Sequence, residues 1–277
     1  MQKQEQKKQR RMTTFSSVGA QLSHLAPQLI GERQCPNCNE MVPIYLQRDK
    51  EISICLSCDN KNIQESMEQF RIRTEADRFF KSYSLVPDET RKATFDNFYP
   101  NGLDQSQADA QHTLQRYVKE FDNLKETKSF LLQGLYGLGK SHLAHSVAMA
   151  LKDQYKKVIF VNSKLLLKRI QSTYGSSEIS ESQILQQIND CDLFILDDIG
   201  AEYVKREAND TESWGIDLML TIVESRENKA NIYTTNYNAK DLAEKYGRHG
   251  GRILSRMAHG CRTLKLTGQD RRIAGIL

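Results

Sequence analysis

The sequence lacks any apolar run long enough to cross a bilayer, and its start, MQKQEQKKQRRMTTF, lacks the apolar core of a secretory signal. Both absences exclude a spanning or exported reading, so a cytoplasmic location with no membrane partner is expected. Internal repeats are absent, as is low complexity beyond the Lys- and Gln-rich first residues. An excess of charge is missing too. Lys and Arg number 39 against 35 Asp and Glu, and a net +4 does not by itself argue for a polyanionic partner. Its distribution says more, because from Lys245 onward Asp270 is the only acid beside eight Lys and Arg. Cysteine is sparse, and six thiols without an export signal point to metal or buried positions rather than disulfides.

At 277 residues the chain can hold one large domain, or a full domain and a small one. Leu22, Leu25 and Leu29 are spaced as one face of a short helix, which Pro27 bends or ends. The stretch IQESMEQFRIRTEADRFFKSY (63–83) has helical periodicity with no Gly or Pro, and VPDET then breaks it. These shifts predict an N-terminal helix and cysteine module over 1–62, a helical linker over 63–91 and a larger unit over 92–277. From Ser129 onward short apolar runs (SFLLQ, VIFV, DLFILDDIG, NIYTTN, TLKL) alternate with helical stretches. That alternation predicts an α/β fold with a doubly wound, mainly parallel sheet.

In LLQGLYGLGKSH, Gly134, four residues, then Gly139, Lys140 and Ser141 match a phosphate-binding loop between an apolar strand and an amphipathic helix. Phosphate oxygens need inward-pointing backbone N–H groups, and side chains at the tight positions would block that approach. The helix N-terminus adds its positive dipole end, Lys140 a cation for the β and γ phosphates, and Ser141 a hydroxyl for Mg²⁺. A nucleoside triphosphate is therefore expected. LFILDDIG supplies the partner carboxylates at the end of a buried strand. Asp197 is expected to hold the metal, directly or through water, and Asp198 to polarise the attacking water.

Cys35 and Cys38 (CPNC) and Cys55 and Cys58 (CLSC) are separated by sixteen residues, within the window of a structural zinc site. Four thiolates close a tetrahedron and leave no open position, so this Zn²⁺ is expected to be scaffolding. Cys191 and Cys261 stand alone beside apolar stretches and read as core residues.

Residues 92–277 resemble the AAA+ ATPases of the DnaC/DnaI helicase loaders, with IstB-like transposition-helper ATPases as cousins. The resemblance rests on ATFDNFYP, GLYGLGKSH, LFILDDIG, NIYTTN, GGRILSRM and LTGQDRR. It implies that Gly134, Gly137, Gly139, Lys140, Ser141, His142 and Asp197 hold ATP and Mg²⁺. It also implies that Asn236 orients water, that Arg256 reaches a neighbouring subunit's γ-phosphate, and that Arg272, or alternatively Arg271, is the last sensor. Asp198 stands where the family often has Glu. In the phage and Gram-positive loaders a zinc-containing N-terminal region contacts the replicative helicase, and the cysteines carry that likeness. NSKLLLKRIQSTYG occupies the place of an extra helix for single-stranded DNA, with Lys164, Lys168 and Arg169 for phosphates and Tyr174 for stacking. An ordinary helix with a solvated basic face is the equal alternative. The implied function is ATP-dependent loading of a hexameric replicative helicase onto single-stranded DNA, with self-association through the ATPase unit. A transposase-assisting ATPase on duplex DNA and an adaptor using ATP as a latch are the rivals.

Overall fold

The computed structural model describes residues 26–100, 105–124, 129–174, 180–202 and 214–271. The chain divides into two compact units, one up to Arg71 and one from Ile72.

In the first unit, β1 (Gln28–Gln34), β2 (Met41–Gln47) and β3 (Lys50–Ile52) form an antiparallel sheet in that order. Arg48 and Asp49 both take positive φ, 47° and 61°, as a two-residue hairpin turn between right-twisted strands requires. The helix expected around Leu29 is not formed there. Leu29 pairs with Tyr45 in the hairpin, because backbone bonding to β2 overrides the local helical spacing, while Leu22 and Leu25 lie outside the described residues. The helix expected over 63–83 exists but is longer. Helix α1 (Leu56–Tyr83) begins directly after Cys55, and the absence of Gly and Pro lets it run 28 residues.

The second unit contains α2 (Gln105–Glu120), β4 (Ser129–Gln133), α3 (Lys140–Asp153), β5 (Val158–Asn162) and α4 (Ser163–Gln171). It continues with α5 (Glu181–Asp190), β6 (Leu193–Ile199), α6 (Trp214–Ser225), β7 (Ala230–Thr235), α7 (Ala239–Lys245), α8 (Gly250–Ala258) and β8 (Cys261–Lys265). The five strands are ordered β5-β6-β7-β4-β8, and every adjacent pair is parallel. A parallel sheet needs cover on both faces, which explains the apolar runs of β5 and β6 and the complete burial of β7. One core holds Leu114, Leu143, Val147 and Leu151 against one face, as the four-residue spacing along α3 predicts. The other holds Leu166, Ile170, Ile188, Ile222 and Ile253 against the opposite face. Each fully buried side chain of this size stabilises the fold by about 1.5–3 kcal/mol. After β4 the chain crosses to β5 at the sheet edge and returns through β6 to β7, beside β4. The carboxyl ends of β4, β6 and β7 thereby meet at a switch point, where open α/β sheets bind ligands.

Cys191 is buried and Cys261 half-buried, and burial pushes their thiols up to about 11 and about 12, as expected of inert core cysteines.

Candidate nucleotide site and cysteine cluster

The phosphate loop joins β4 to α3, and its conformation needs glycine. Gly137 has φ 71°, and a Cβ there would stand 1.6 Å from the Asp270 carboxylate. Gly139 has φ 86° as the residue capping α3, and a Cβ would meet the Phe98 ring at 2.5 Å. Gly134 sits at the base of the loop, its N–H donating to the Thr235 oxygen at 3.3 Å. Lys140 opens α3 and is only 6% exposed, and its Nζ donates to the Leu135 oxygen at 2.6 Å. The loop's own backbone thus holds the ammonium beside the space for phosphates.

Above it, a cavity of about 400 Å³ brings together Lys140, Ser141, His142, Asp197, Asp198 and Asn236. Asp197 is 2% exposed, and burial raises its carboxyl, opposed by hydrogen bonds from Ser141 and Thr234. Thr234 Oγ1 donates to Asp197 Oδ1 at 2.7 Å and accepts from the Asp198 N–H at 2.8 Å, so one hydroxyl sets both carboxylates. Asn236 Nδ2 donates to Asp198 Oδ1 at 2.8 Å. Asp198 itself has φ 58°, at an irregularity in the β6–β7 ladder that turns its side chain out of the strand's alternation.

The far wall of the cavity is built by Pro87, Glu89, Thr90 and Ala93. This segment is clamped to α3, where a ring nitrogen of His142 lies 2.9 Å from the Thr94 oxygen and one of His145 2.9 Å from the Ala93 oxygen. Burial holds both imidazoles below the usual histidine range, consistent with neutral rings. Phe98 is buried beneath Gly139 rather than lining the cavity. Arg271 does line it. Its guanidinium lies 4.3 Å from the centre of the Phe98 ring and donates to Gln107 Oε1, while its backbone N–H donates to the Gly137 oxygen at 3.2 Å. Arg272 lies outside the described residues.

Arg256 is remote from this cavity. It follows Arg252 by one turn of α8, and the two pair with Glu227 at 3.0 Å and Glu224 at 2.6 Å. Both guanidiniums stay about half-exposed. Lys164, Lys168 and Arg169 are exposed on α4, whose other face buries Leu166, Leu167 and Ile170. Tyr174 is 59% exposed and its hydroxyl donates to Glu181 at 2.5 Å.

In the first unit, Cys35 and Cys38 flank the β1–β2 turn, and Cys55 and Cys58 sit at the start of α1. The four sulfurs lie within 4.8 Å of one another, with Cys35–Cys58 at 3.7 Å and Cys38–Cys55 at 3.4 Å. A tetrahedron with metal–sulfur bonds of about 2.3 Å has edges of about 3.8 Å, so the cluster fits zinc. The second pair is carried by a helix N-terminus, which favours thiolate, and not by a turn like the first. The N–H groups of Asn37 and Cys38 pull the Cys35 thiol down to about 6, while the neighbouring thiols push Cys58 up to about 12. Four thiolates this close need a cation among them.

The comparisons with known proteins bear on the second unit. The IstB-like ATP binding protein family matches residues 76–275, about three-quarters of the chain. The chain belongs to this family. The replicative helicase loader DnaC of Escherichia coli is 27% identical over 159 residues, 56% of this chain and 60% of that protein. The putative ATP-binding protein of insertion sequence IS21 from Pseudomonas aeruginosa is 27% identical over 173 residues, 58% of this chain and 62% of that one. The chain therefore spans about three-fifths of the length of these two relatives. Among solved structures, DnaI aligns with a TM-score of 0.55 at 23% identity, covering 68% of this chain and 95% of that one. The DnaC helicase loader aligns at 0.52 and 24%, covering 65% and 100%. The fold of this IstB-like chain is that of the solved DnaI and DnaC structures, as its motifs led one to expect, and its family is described as ATP-binding.

Three residues that organise the IstB-like site escaped the sequence. Thr234 lies one place from the end of β7, and only its position opposite β6 brings it to both carboxylates. Gln107 acts across 160 residues, donating to the Thr267 oxygen at 2.8 Å and supporting Arg271. Glu202 is 1% exposed, just after β6. No local spacing marks any of them.

Proposed function

We propose that this protein hydrolyses ATP to load a hexameric replicative helicase onto single-stranded DNA. The observation carrying the enzymatic half is the convergence of Lys140, Ser141, Asp197, Asp198 and Asn236 on one cavity at the sheet's switch point. Loop N–H groups, the α3 dipole and Lys140 bind the triphosphate. Ser141 and Asp197 would hold a magnesium ion, which would supply neutralisation of the phosphate charge. Asp198, oriented by Asn236 and by the Thr234 hydroxyl, accepts the proton of the attacking water. Arg271 faces the same cavity and serves as the last sensor in this reading, with Arg272 the alternative. The γ-phosphate's outer side is left to Arg256 of a neighbouring copy, which must first leave Glu227.

The loading half rests on the relatives named as helicase loaders and on the four-cysteine module of residues 1–62, which we assign to helicase binding, with 63–91 as linker and 92–277 as ATPase. Zinc held by Cys35, Cys38, Cys55 and Cys58 supplies the fold of that module when bound. The basic face of α4 and Tyr174 serve as the single-strand contact. A phage or Gram-positive source and a cytoplasmic location accord with this reading. Among described residues no helix is long and apolar enough to cross a membrane.

A second reading, a helper ATPase for a transposase on duplex DNA, is favoured by the IS21 relative at the same identity. A pull-down separates the two. An immobilised replicative hexameric helicase should retain the full chain, and an immobilised IS21-type transposase should not; the reverse pattern overturns the loader assignment.

A further inference from the structure

Behind the nucleotide cavity lies a buried carboxylate that the hydrolytic scheme does not use. Glu202 is 1% exposed, and its oxygens accept from three neutral donors. Oε2 accepts from Ser163 Oγ at 2.7 Å and from the Gly200 N–H at 2.9 Å, and Oε1 accepts from the Tyr246 hydroxyl. Each donor belongs to a different functional piece. Ser163 is the first residue of α4, the basic helix, and its hydroxyl also lies 2.9 Å from the Asp198 oxygen. Gly200 belongs to the turn that leaves β6, closed by the Ala201 N–H donating to the Asp198 oxygen at 3.1 Å. Tyr246 is fully buried and ends α7, just ahead of the helix carrying Arg252 and Arg256. Burial raises the Tyr246 hydroxyl well above its ordinary range, so it stays a donor.

The turn has to be held. Asp198 has φ 58°, a left-handed conformation that is strained for a non-glycine residue. Such a conformation persists only where surrounding bonds over-determine it. Thr234 and Asn236 fix the turn from the cavity side. Glu202 and Ser163 fix it from behind. We propose that Glu202 is a positioning residue for ATP hydrolysis: it pins the turn that aims Asp198 and ties it to the start of α4 and the end of α7. The inference deepens the hydrolytic role given to Asp198 and rests on it. It also gives single-strand binding on α4, or a neighbour's pull on α8, a short covalent and hydrogen-bonded route to the water-activating carboxylate.

The experiment compares steady-state ATP hydrolysis and ATP affinity for the full-length wild type, Asp198→Asn, Glu202→Ala, Glu202→Gln and Ser163→Ala. A catalytic group misplaced by an ångström costs on the order of 100-fold, so Glu202→Ala should lose about 10- to 100-fold in kcat with KM and ATP affinity unchanged. Glu202→Gln should recover most of it, because its amide oxygen can accept from Ser163 and Gly200 while its NH₂ group donates to the Tyr246 oxygen. Ser163→Ala, a small change at a buried site, should lower kcat alone and keep the proposal testable if Glu202→Ala fails to fold. Wild-type kcat in Glu202→Ala overturns it, as does wild-type kcat in Ser163→Ala where Glu202→Ala fails to fold. So does a Glu202→Gln rate as low as that of Glu202→Ala, or a parallel loss of affinity and melting temperature in both alanine variants. If Asp198→Asn hydrolyses normally, the role of Asp198 falls instead, and a slow Asp198→Asn beside a normal Glu202→Ala removes only the present inference.

Discussion

Replacing Arg226 by Met tests how the sheet that carries the site is held. Arg226 ends α6 with no exposed surface, and its guanidinium donates to five oxygens. They are the backbone oxygens of Ile188 (3.3 Å), Asn189 (3.0 Å), Cys191 (2.8 Å) and Ala230 (2.6 Å), and Oδ1 of Asn231 (3.0 Å). Three of these lie at the C-terminal end of α5, where carbonyls lack intrahelical partners and the dipole favours a cation. The others anchor the start of β7, the strand that ends at Thr234 and Thr235. Met preserves the apolar stem and removes every donor. A hydrogen bond to a charged group contributes about 1.5–3 kcal/mol, but five sharing one guanidinium are not additive. Breaking such a buried arrangement from one side costs about 3–5 kcal/mol. For a unit of this size each kcal/mol moves Tm by about 2–4 °C, so Arg226→Met should melt about 6–20 °C lower by calorimetry. ATP affinity measured well below the transition should be unchanged, because Arg226 does not line the cavity. A drop below about 3 °C would refute the view that these bonds secure the sheet.

Other outcomes follow from the site and the module. Lys140→Ala should abolish ATP binding and leave circular dichroism unchanged, since the side chain serves the loop and not a core; retained affinity would remove the phosphate-loop assignment. Metal analysis should find about one zinc per chain, and Cys35→Ser or Cys58→Ser should abolish helicase retention while ATP binding survives. Full retention by a fragment starting near Lys92 would contradict that. Charge reversal of Lys168 and Arg169 should weaken single-stranded DNA binding and flatten its salt dependence, and normal binding would make α4 a merely solvated face. Arg256→Ala should bind ATP yet hydrolyse it about 1,000-fold more slowly, and mixing it with Lys140→Ala should restore part of the rate. Wild-type hydrolysis by Arg256→Ala under assembling conditions would transfer the role to another residue, with Arg252 next to test.

What could be read in advance was what local spacing encodes. The phosphate loop, the strand ending in Asp197 and Asp198, and Asn236 each announce themselves within a dozen residues, and all meet at one cavity. The paired cysteines likewise gave the sulfur cluster, although the second pair proved to ride on a helix. Leu29 misled because helical spacing is a local signal, and the backbone of β2, more than ten residues away, outbid it. Thr234, Gln107, Arg226 and Glu202 were illegible for a related reason. Most of their partners lie 35 to 164 residues distant, and only the assembled sheet order brings those into reach.

The backbone at Asp198 also constrains how this lineage can drift. Left-handed backbone is tolerated by Asp and Asn far better than by longer side chains, because a short polar group can bond locally there. An Asp198→Glu exchange looks conservative on paper, one carboxylate for another. In this chain the exchange would meet a torsional barrier before it met any chemistry, and the longer arm would carry its charge past the Asn236 amide that now receives it. The shorter acid and the shape of the turn are thus coupled, and neither can change without the other.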